Sequence, residues 1–301
     1  MTTQVHVQSE SIRQPVVPGA SDTIGLSATR MALRLLGRVS PEKAGRLVNH
    51  MAFRPSRLPM PSRYEYLLDS VDGYTQLQHG AYIIPVYSWG NGPVILGVHG
   101  WSGAGIQFGA WITPLVDAGY RVVLFDAPAH GRAQGERTDL FDMAEVVAKV
   151  AASVGEIHGI LSHSMGSLAA ARAIADGLQA GYLLMLAPPL SLRSVMDHLG
   201  RQLGLSAEVL AVHLRLMEEQ FGPSVWDKLD MESLSRALTQ RGLVVLDQDD
   251  SSIEPAQSER VHSGWVQGDI LRTRGLGHHR ILRSPLVLDK VLQDLARTEL
   301  H

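Results

Sequence analysis

The sequence predicts an α/β fold, in which a mostly parallel sheet is flanked by helices and interrupted by an all-helical insertion. Short runs of apolar and β-branched residues recur along the chain, and most are nearly continuously apolar, as expected of strands that are buried on both faces. Helical patterns at residues 106–118, 140–153 and 165–178 separate several of these runs, which is typical of parallel β-α-β units. The predicted strands are residues 81–87, 94–98, 121–125, 157–161, 181–186 and 243–246.

The alternation stops between Leu186 and Leu243, where the intervening residues have a helical pattern. An all-helical insertion in a β-α series is expected to form a lid or cap above the strand ends. Residues 64–87 contain turn signals but no long helical pattern, which favours antiparallel strands entering the sheet. We therefore predict a basic helical extension at residues 1–63, an α/β core at residues 64–187 and 241–301, and a helical cap at residues 188–240.

Composition excludes several classes of protein. The chain has 301 residues, of which 45% are hydrophobic and 19% charged, so it is not disordered throughout. It has no cysteine, which excludes disulfides, thiolate metal sites and cysteine nucleophiles. A net charge of −3 gives no argument for a nucleic-acid partner. Because no apolar run reaches the roughly 18 residues of a membrane span and the start of the chain is polar, we expect a cytoplasmic protein.

Charge is unevenly distributed. Residues 1–63 hold nine Lys/Arg and three Asp/Glu, a local net charge of +6, whereas residues 64–301 carry −9. The basic segment predicts an amphipathic helix, and Ser40 and Pro41 predict the cap and first turn of a second helix. Residues 22–51 could contact an anionic membrane surface, but we expect the first helix to pack onto the acidic main domain with its arginines in solvent. The helix has an apolar stripe of Ile24, Ala28, Met31, Leu35 and Val39 and a basic stripe of Arg30, Arg34 and Arg38.

A serine follows the predicted strand at residues 157–161. The segment Ser162-His163-Ser164-Met165-Gly166 then leads into a helix that begins with small residues. On a tight strand-to-helix turn, the Ser164 hydroxyl is exposed at the positive end of the helix dipole, which suits a nucleophile. Small residues at such a turn allow the backbone and the helix to approach closely.

A nucleophilic hydroxyl also needs an oxyanion site and a general base. The turn His99-Gly100-Trp101 follows the strand at residues 94–98, and its Trp101 N–H can point to the same place as the Met165 N–H. We expect these two backbone groups to bind the oxyanion, and the His99 side chain to bond local backbone.

The acid and the histidine are expected after the last strands of the sheet, in that order. Asp247, Asp249 and Asp250 follow the strand at residues 243–246, and His278 and His279 follow a strand-like segment at residues 265–271. In this role the acid holds one ring nitrogen of the histidine and stabilises the imidazolium. The residues themselves leave the choice among three aspartates and two histidines open.

With these motifs in place, the chain resembles the α/β-hydrolase superfamily over residues 64–298. The resemblance implies a serine hydrolase with a catalytic triad of Ser164, Asp250 and His278. Asp250 is chosen over Asp247 and Asp249 because Asp250-Ser-Ser-Ile253 fits the family's Asp-x-x-hydrophobic pattern, and His279 is the weaker histidine candidate. The matching pieces are residues 99–101, 126–131, 162–166, 247–250 and 275–278.

The sequence departs from the family pattern at Ser162, which replaces the first glycine of the serine turn, and at Ala133, where a loop serine is usual. A serine nucleophile argues against the aspartate-dependent epoxide hydrolases and haloalkane dehalogenases that share the fold. No metal-binding or phosphate-loop motif is present, so we expect neither a cofactor nor a metal.

The predicted activity is cleavage of a small-molecule carboxylic ester or thioester through an acyl-enzyme. Hydrolysis of an amide or a carbon–carbon bond on the same triad is one alternative, and a non-catalytic binding protein with this fold is another. The sequence leaves the substrate and the oligomeric state open.

Overall fold

The computed structural model of the chain describes residues 20–57 and 62–298. Residues 1–19 and 58–61 of the predicted extension, and residues 299–301 of the predicted core, lie outside the described residues, as does the side chain of Ile24. In the described part of the chain, no helix is long and apolar enough to span a bilayer.

One sheet of eight strands organises residues 73–273 in the order β1-β2-β4-β3-β5-β6-β7-β8. The first hairpin is antiparallel, β2 pairs antiparallel with β4, and the remaining pairs are parallel, so the expected mostly parallel sheet is confirmed. The strands are β1 (Gly73–His79), β2 (Tyr82–Trp89), β3 (Val94–Val98), β4 (Arg121–Phe125), β5 (Ile157–His163), β6 (Tyr182–Leu186), β7 (Arg241–Asp247) and β8 (Gly268–Thr273).

Helices connect the parallel strands, four of them between β6 and β7, and further helices lie before β1 and after β8. They are α1 (Ala20–Val39), α2 (Pro41–Ala52), α3 (Glu65–Asp69), α4 (Gly109–Asp117), α5 (Leu140–Val154), α6 (Met165–Ala175), α7 (Leu192–Leu203), α8 (Ala207–Phe221), α9 (Val225–Lys228), α10 (Met231–Ala237), α11 (Pro255–Gly264), α12 (Gly277–Arg280) and α13 (Pro285–Thr298).

Local chemistry sets several of these boundaries. Asp139 caps α5, where its carboxylate accepts hydrogen bonds of 2.9 Å from two backbone N–H groups of the first turn, and Gly155 ends the helix with a φ of 100°. Ser40 caps α2 by accepting from Lys43 N, and Pro41 is the first helical residue, as predicted. Helices α2 and α5 therefore begin where a side chain accepts hydrogen bonds from the free backbone N–H groups of the first turn.

The core of the sheet lies between its central strands and the helices on either side. Every residue of β3 and β6 is buried, and Ile95 and Leu184 contribute to the main apolar cluster with Phe108 and Trp111. Because both faces of these strands are covered, their side chains are almost all apolar, which is why the sequence pattern predicted them so well. The turns that hold the candidate site follow the carboxyl ends of β3, β5, β7 and β8.

The described residues divide into two compact units. One contains residues 54–57, 62–190 and 231–298, and with them the sheet; the other contains residues 20–53 and 191–230. The first two helices thus group with α7, α8 and α9 of the insertion. The domain boundaries given in the sequence analysis stay a prediction.

Within the second unit, α1 packs through a different face from the one expected. The buried side chains are Leu33 and the half-buried Leu36, which lie in a small core with Val48 and Val209. Met31, Leu35 and Val39 of the predicted stripe are exposed. The expectation that this stripe packs against protein is therefore wrong, because α1 has apolar residues on two faces and the contacts in this core use the other one.

Candidate active site

Ser164 lies on a strained turn between β5 and α6. Its φ of 52° and ψ of −128° place a non-glycine residue in a region that costs on the order of 1–3 kcal/mol. Its backbone N–H donates to Leu186 O at the end of the neighbouring strand, and its carbonyl accepts from Ser167 N in the first turn of α6. These bonds hold the turn so that the Ser164 side chain lies at the carboxyl edge of the sheet.

Ser162 shows how the turn tolerates a side chain where the family has glycine. Its hydroxyl is fully buried, donates to Leu184 O over 2.7 Å and lies 3.1 Å from Ser167 Oγ. A buried hydroxyl is costly only without partners, so this departure from the pattern leaves no unsatisfied group.

His278 lies between Ser164 and Asp250. Its Nε2 is 3.0 Å from Ser164 Oγ, and its Nδ1 is 2.8 Å from Asp250 Oδ2. An ionised carboxylate can only accept, so Nδ1 carries the proton of the neutral ring and Nε2 is left to accept from the serine hydroxyl. The fold thus brings together three residues that are 114 and 28 positions apart along the chain.

Asp250 remains a carboxylate in this setting. Burial alone would raise its pKa, but the hydrogen bond from His278 and the N–H groups of Ser252 and Ile253 outweigh it and hold the pKa below its usual value. Both N–H groups donate to Oδ1, at 2.8 and 2.9 Å, which leaves Oδ2 for the histidine. The carboxylate is therefore both charged and fixed in orientation.

The other two aspartates of the loop bind backbone rather than histidine. Asp247 is fully buried, and its two oxygens accept from Thr273 Oγ1 and from the N–H groups of Asp249, Leu276 and Gly277 at 2.8–3.0 Å. Asp249 Oδ2 accepts from Gly275 N over 3.1 Å. Both side chains therefore join the loop after β7 to the loop that carries His278.

The turn after β3 lies against the serine turn. A Cβ on Gly100 would be 3.1 Å from Ser164 Cβ, and one on Gly166 would be 2.4 Å from His99 O, so both glycines allow a close approach. Neither Trp101 N–H nor Met165 N–H donates a hydrogen bond to any residue that the structure describes. Trp101 directly follows Gly100 and Met165 directly follows Ser164, so both unpaired N–H groups belong to the two turns that meet here, and an oxyanion requires such donors.

The His99 side chain bonds local backbone. Nδ1 lies 2.8 Å from Gly100 O, and Nε2 accepts from Ala127 N over 3.0 Å, as expected of a turn histidine. Its ring packs against His130, whose pKa burial lowers to about 3. Both rings are neutral and shape the turn that presents Trp101.

His279 does not replace His278. Its ring meets the His278 ring edge-on with centroids 5.1 Å apart, and it forms no hydrogen bond to Ser164 or Asp250 among the described atoms. Burial, and then the neighbouring His278, lowers its pKa. In the described ranges, no group of three His, Asp or Glu side chains is placed to hold a metal ion.

Sequence reasoning missed the contact that His163 makes in this site. Its Nε2 donates to the backbone carbonyl of His278 over 2.9 Å, and the two rings pack with centroids 4.7 Å apart. Burial, and then the neighbouring His278, holds the pKa of His163 well below its usual value, so the ring is neutral. The only signal in the sequence was its position directly before Ser164.

Comparison with known proteins supports a common fold. A sequence profile of the Alpha/beta hydrolase family matches residues 95–289, well over half of the chain. Among curated proteins, no sequence matches the chain.

This chain aligns with solved structures of the same architecture over nearly the whole length of those structures. A thioesterase domain from the curacin biosynthetic pathway is 17% identical, with a TM-score of 0.56 and 75% of this chain and 99% of that chain covered. A membrane phospholipase A is 16% identical, with a TM-score of 0.61 and coverage of 93% and 99%. A thermophilic esterase from Thermogutta terrifontis is 19% identical, with a TM-score of 0.57 and coverage of 75% and 99%. At these identities the likeness shows the fold alone.

Proposed function

We infer, since the chain belongs to the alpha/beta hydrolase family, that it is a serine hydrolase acting on a carboxylic ester or thioester. The observation that carries this proposal is the chain of contacts from Ser164 Oγ through His278 to Asp250, at 3.0 and 2.8 Å. The contacts leave the Nε2 lone pair directed at a hydroxyl proton, which is what general-base activation of a serine requires.

In the proposed reaction, Ser164 Oγ attacks the substrate carbonyl while its proton passes to His278 Nε2. The new oxyanion accepts hydrogen bonds from the Trp101 and Met165 N–H groups, and Asp250 stabilises the imidazolium. His278 then gives its proton to the leaving alcohol or thiol as the tetrahedral intermediate collapses. A water molecule gives a proton to His278 as it attacks the acyl-enzyme, and His278 returns that proton to Ser164 Oγ as the acid is released.

The contacts of Ser164, His278 and Asp250 are the same for each class of acyl substrate, so the substrate class is argued from the structural neighbours. The structural neighbours named as an esterase, a thioesterase domain and a phospholipase favour ester and thioester substrates. A panel of esters, thioesters, anilides and diketones separates this proposal from hydrolysis of amides or carbon–carbon bonds, since the same triad is compatible with each.

The test of the nucleophile combines a fluorophosphonate probe with two variants. We expect the wild type and Ser162→Gly, which restores the family's glycine, to be labelled, and Ser164→Ala to be unlabelled. With p-nitrophenyl esters, Ser164→Ala should lose at least about 10³-fold in kcat/KM and keep its melting temperature. Ester hydrolysis retained by Ser164→Ala would refute the assignment, and a wild type that neither labels nor hydrolyses any panel member would favour a binding protein.

A further inference from the structure

Helix α1 has two apolar faces, and only one is covered. Leu33 is 2% exposed and lies in the core of the second unit, whereas Met31, Leu35 and Val39 are 57%, 54% and 85% exposed. At 100° per residue, the row of these three residues lies on the opposite side of the helix from the buried face. We call these three residues the outer row of α1.

Such a concentration of exposed apolar side chains is unusual on a protein surface. Single exposed hydrophobic residues need no explanation, but contiguous groups of them mark interaction sites. Five of the eight large exposed hydrophobic residues in the described part of the chain lie between Leu26 and Leu47. The outer row therefore needs an occupant that the described residues do not supply.

Arginines border the outer row along one side. Arg30, Arg34 and Arg38 follow each other at intervals of four residues and lie about 100° around the helix from the outer row. Arg30 donates to Gln202 O, and Arg34 and Arg38 form no ion pair within the described residues. No aspartate or glutamate occurs between Asp22 and Glu42. Helix α1 is thus apolar in one row and cationic in the next, and Glu208 of α8 lines the same depression as Arg34 and Arg38.

We propose that the outer row and its arginines bind the surface of an anionic phospholipid bilayer. A helix lying in the membrane interface buries its apolar residues at the acyl boundary, and its arginines reach the lipid phosphates with long apolar stems. Charge supports this occupant, because residues 1–63 carry +6 and residues 64–301 carry −9. Attraction to an anionic surface is therefore concentrated in the segment that contains α1.

The dimensions favour a bilayer over a folded partner. From Met31 to Val39 the helix rises only about 12 Å, and the outer row is one side chain wide. A stable protein interface buries about 800 Å² on each partner, more than such a row supplies, whereas a bilayer accepts a straight helix along its whole length.

The test is flotation of the full-length chain with phosphatidylcholine vesicles, with and without phosphatidylserine. We expect binding to the phosphatidylserine vesicles at low salt, and loss of binding at high salt. Arg34→Gln/Arg38→Gln should weaken it by roughly tenfold or more, and Met31→Ser/Leu35→Ser/Val39→Ser should reduce it at least as strongly. Both variants change exposed side chains, so their melting temperatures should match that of the wild type.

Arg241→Gln/Arg297→Gln is the matched control, since it removes two exposed positive charges outside α1 and should bind as the wild type does. A wild type that ignores anionic vesicles at low salt overturns the proposal, as do outer-row and arginine variants that bind normally. A wild-type dimer that the outer-row variant converts to a monomer, without vesicle binding, would assign the surface to a second copy of the chain and equally overturn it. None of these outcomes depends on the hydrolase activity.

Discussion

His163 Nε2 donates a 2.9 Å hydrogen bond to the backbone carbonyl of His278. The bond joins the residue before Ser164 to the loop that supplies the base, so it fixes the distance between two elements that meet only through tertiary structure. His163 Nδ1 has no partner among the described atoms, so the bond from Nε2 is the one hydrogen bond that this buried ring forms there.

Replacing His163 tests whether this bond positions the base. His163→Phe keeps a ring but removes the N–H, and we expect kcat to fall about tenfold with KM nearly unchanged, as for the loss of one hydrogen bond. The melting temperature should change little, because the variant also removes an unsatisfied nitrogen. His163→Gln retains a donor and should recover much of the rate in stopped-flow ester hydrolysis.

A purely structural role for His163 would give a different pattern. The Phe and Gln variants would then lose melting temperature together, and kcat per folded molecule would stay at the wild-type value. That pattern would contradict the positioning role.

Asp250 and Asp249 are neighbours with different contacts, which makes them a matched pair. Asp250→Asn removes the acceptor that fixes the His278 tautomer, and we expect kcat to fall on the order of 10³–10⁴-fold. Asp249 is exposed, and within the described ranges its side chain binds only Gly275 N, so Asp249→Asn should lower kcat by less than about tenfold. Steady-state kinetics on one activated ester compares both; equal losses would show that the acid is misassigned.

A substitution at Gly100 tests whether the N–H groups of Trp101 and Met165 bind the oxyanion. A Cβ at this position would lie 3.0 Å from His163 O and 3.1 Å from Ser164 Cβ, so Gly100→Ala should push the Trp101 N–H away from the serine. We expect kcat to fall about 10²-fold, the usual effect of losing one oxyanion donor, at a cost of about 1 kcal/mol in stability.

The control for Gly100 is Gly181, which directly precedes β6. A Cβ on Gly181 would be 2.8 Å from His158 O, so Gly181→Ala is also strained but should lower stability without lowering kcat per folded molecule. Urea unfolding and active-site titration separate the two effects. If Gly100→Ala keeps full kcat, the oxyanion assignment fails.

The lowered pKa of the buried His130 predicts that the folded chain loses stability in acid. Burial lowers its pKa from 6.5 to about 3 in the folded chain, so between these values the unfolded chain binds the proton and the folded chain does not. Stability therefore falls as the pH falls through this window, by about 2 kcal/mol from this group at pH 5. His130→Gln should flatten the dependence of the unfolding free energy on pH below about 6.5. An unchanged slope would show that His130 does not contribute.

The strands of the sheet were the most predictable part of the fold. Residues 94–98 and 121–125 are strands with the predicted ends, because a run of apolar side chains bounded by turn residues leaves little choice. The strand-like segment predicted at residues 265–271 begins three residues before the observed β8. Trp265 instead ends α11, and its ring packs over Gly242 and Gly268. A buried aromatic residue fits a strand or a helix end equally well, and only the packing distinguishes them.

The sequence by itself determined the sheet, the serine turn, and the order of serine, acid and histidine, because burial on two faces and sharp turns leave strong local patterns. The local pattern Asp250-Ser-Ser-Ile253 favoured Asp250, but tertiary structure decided which of the three carboxylates faces His278, since the partners of each come from distant parts of the chain. It also decided which apolar face of α1 is buried, because a helix with two apolar faces contains no information about its neighbours.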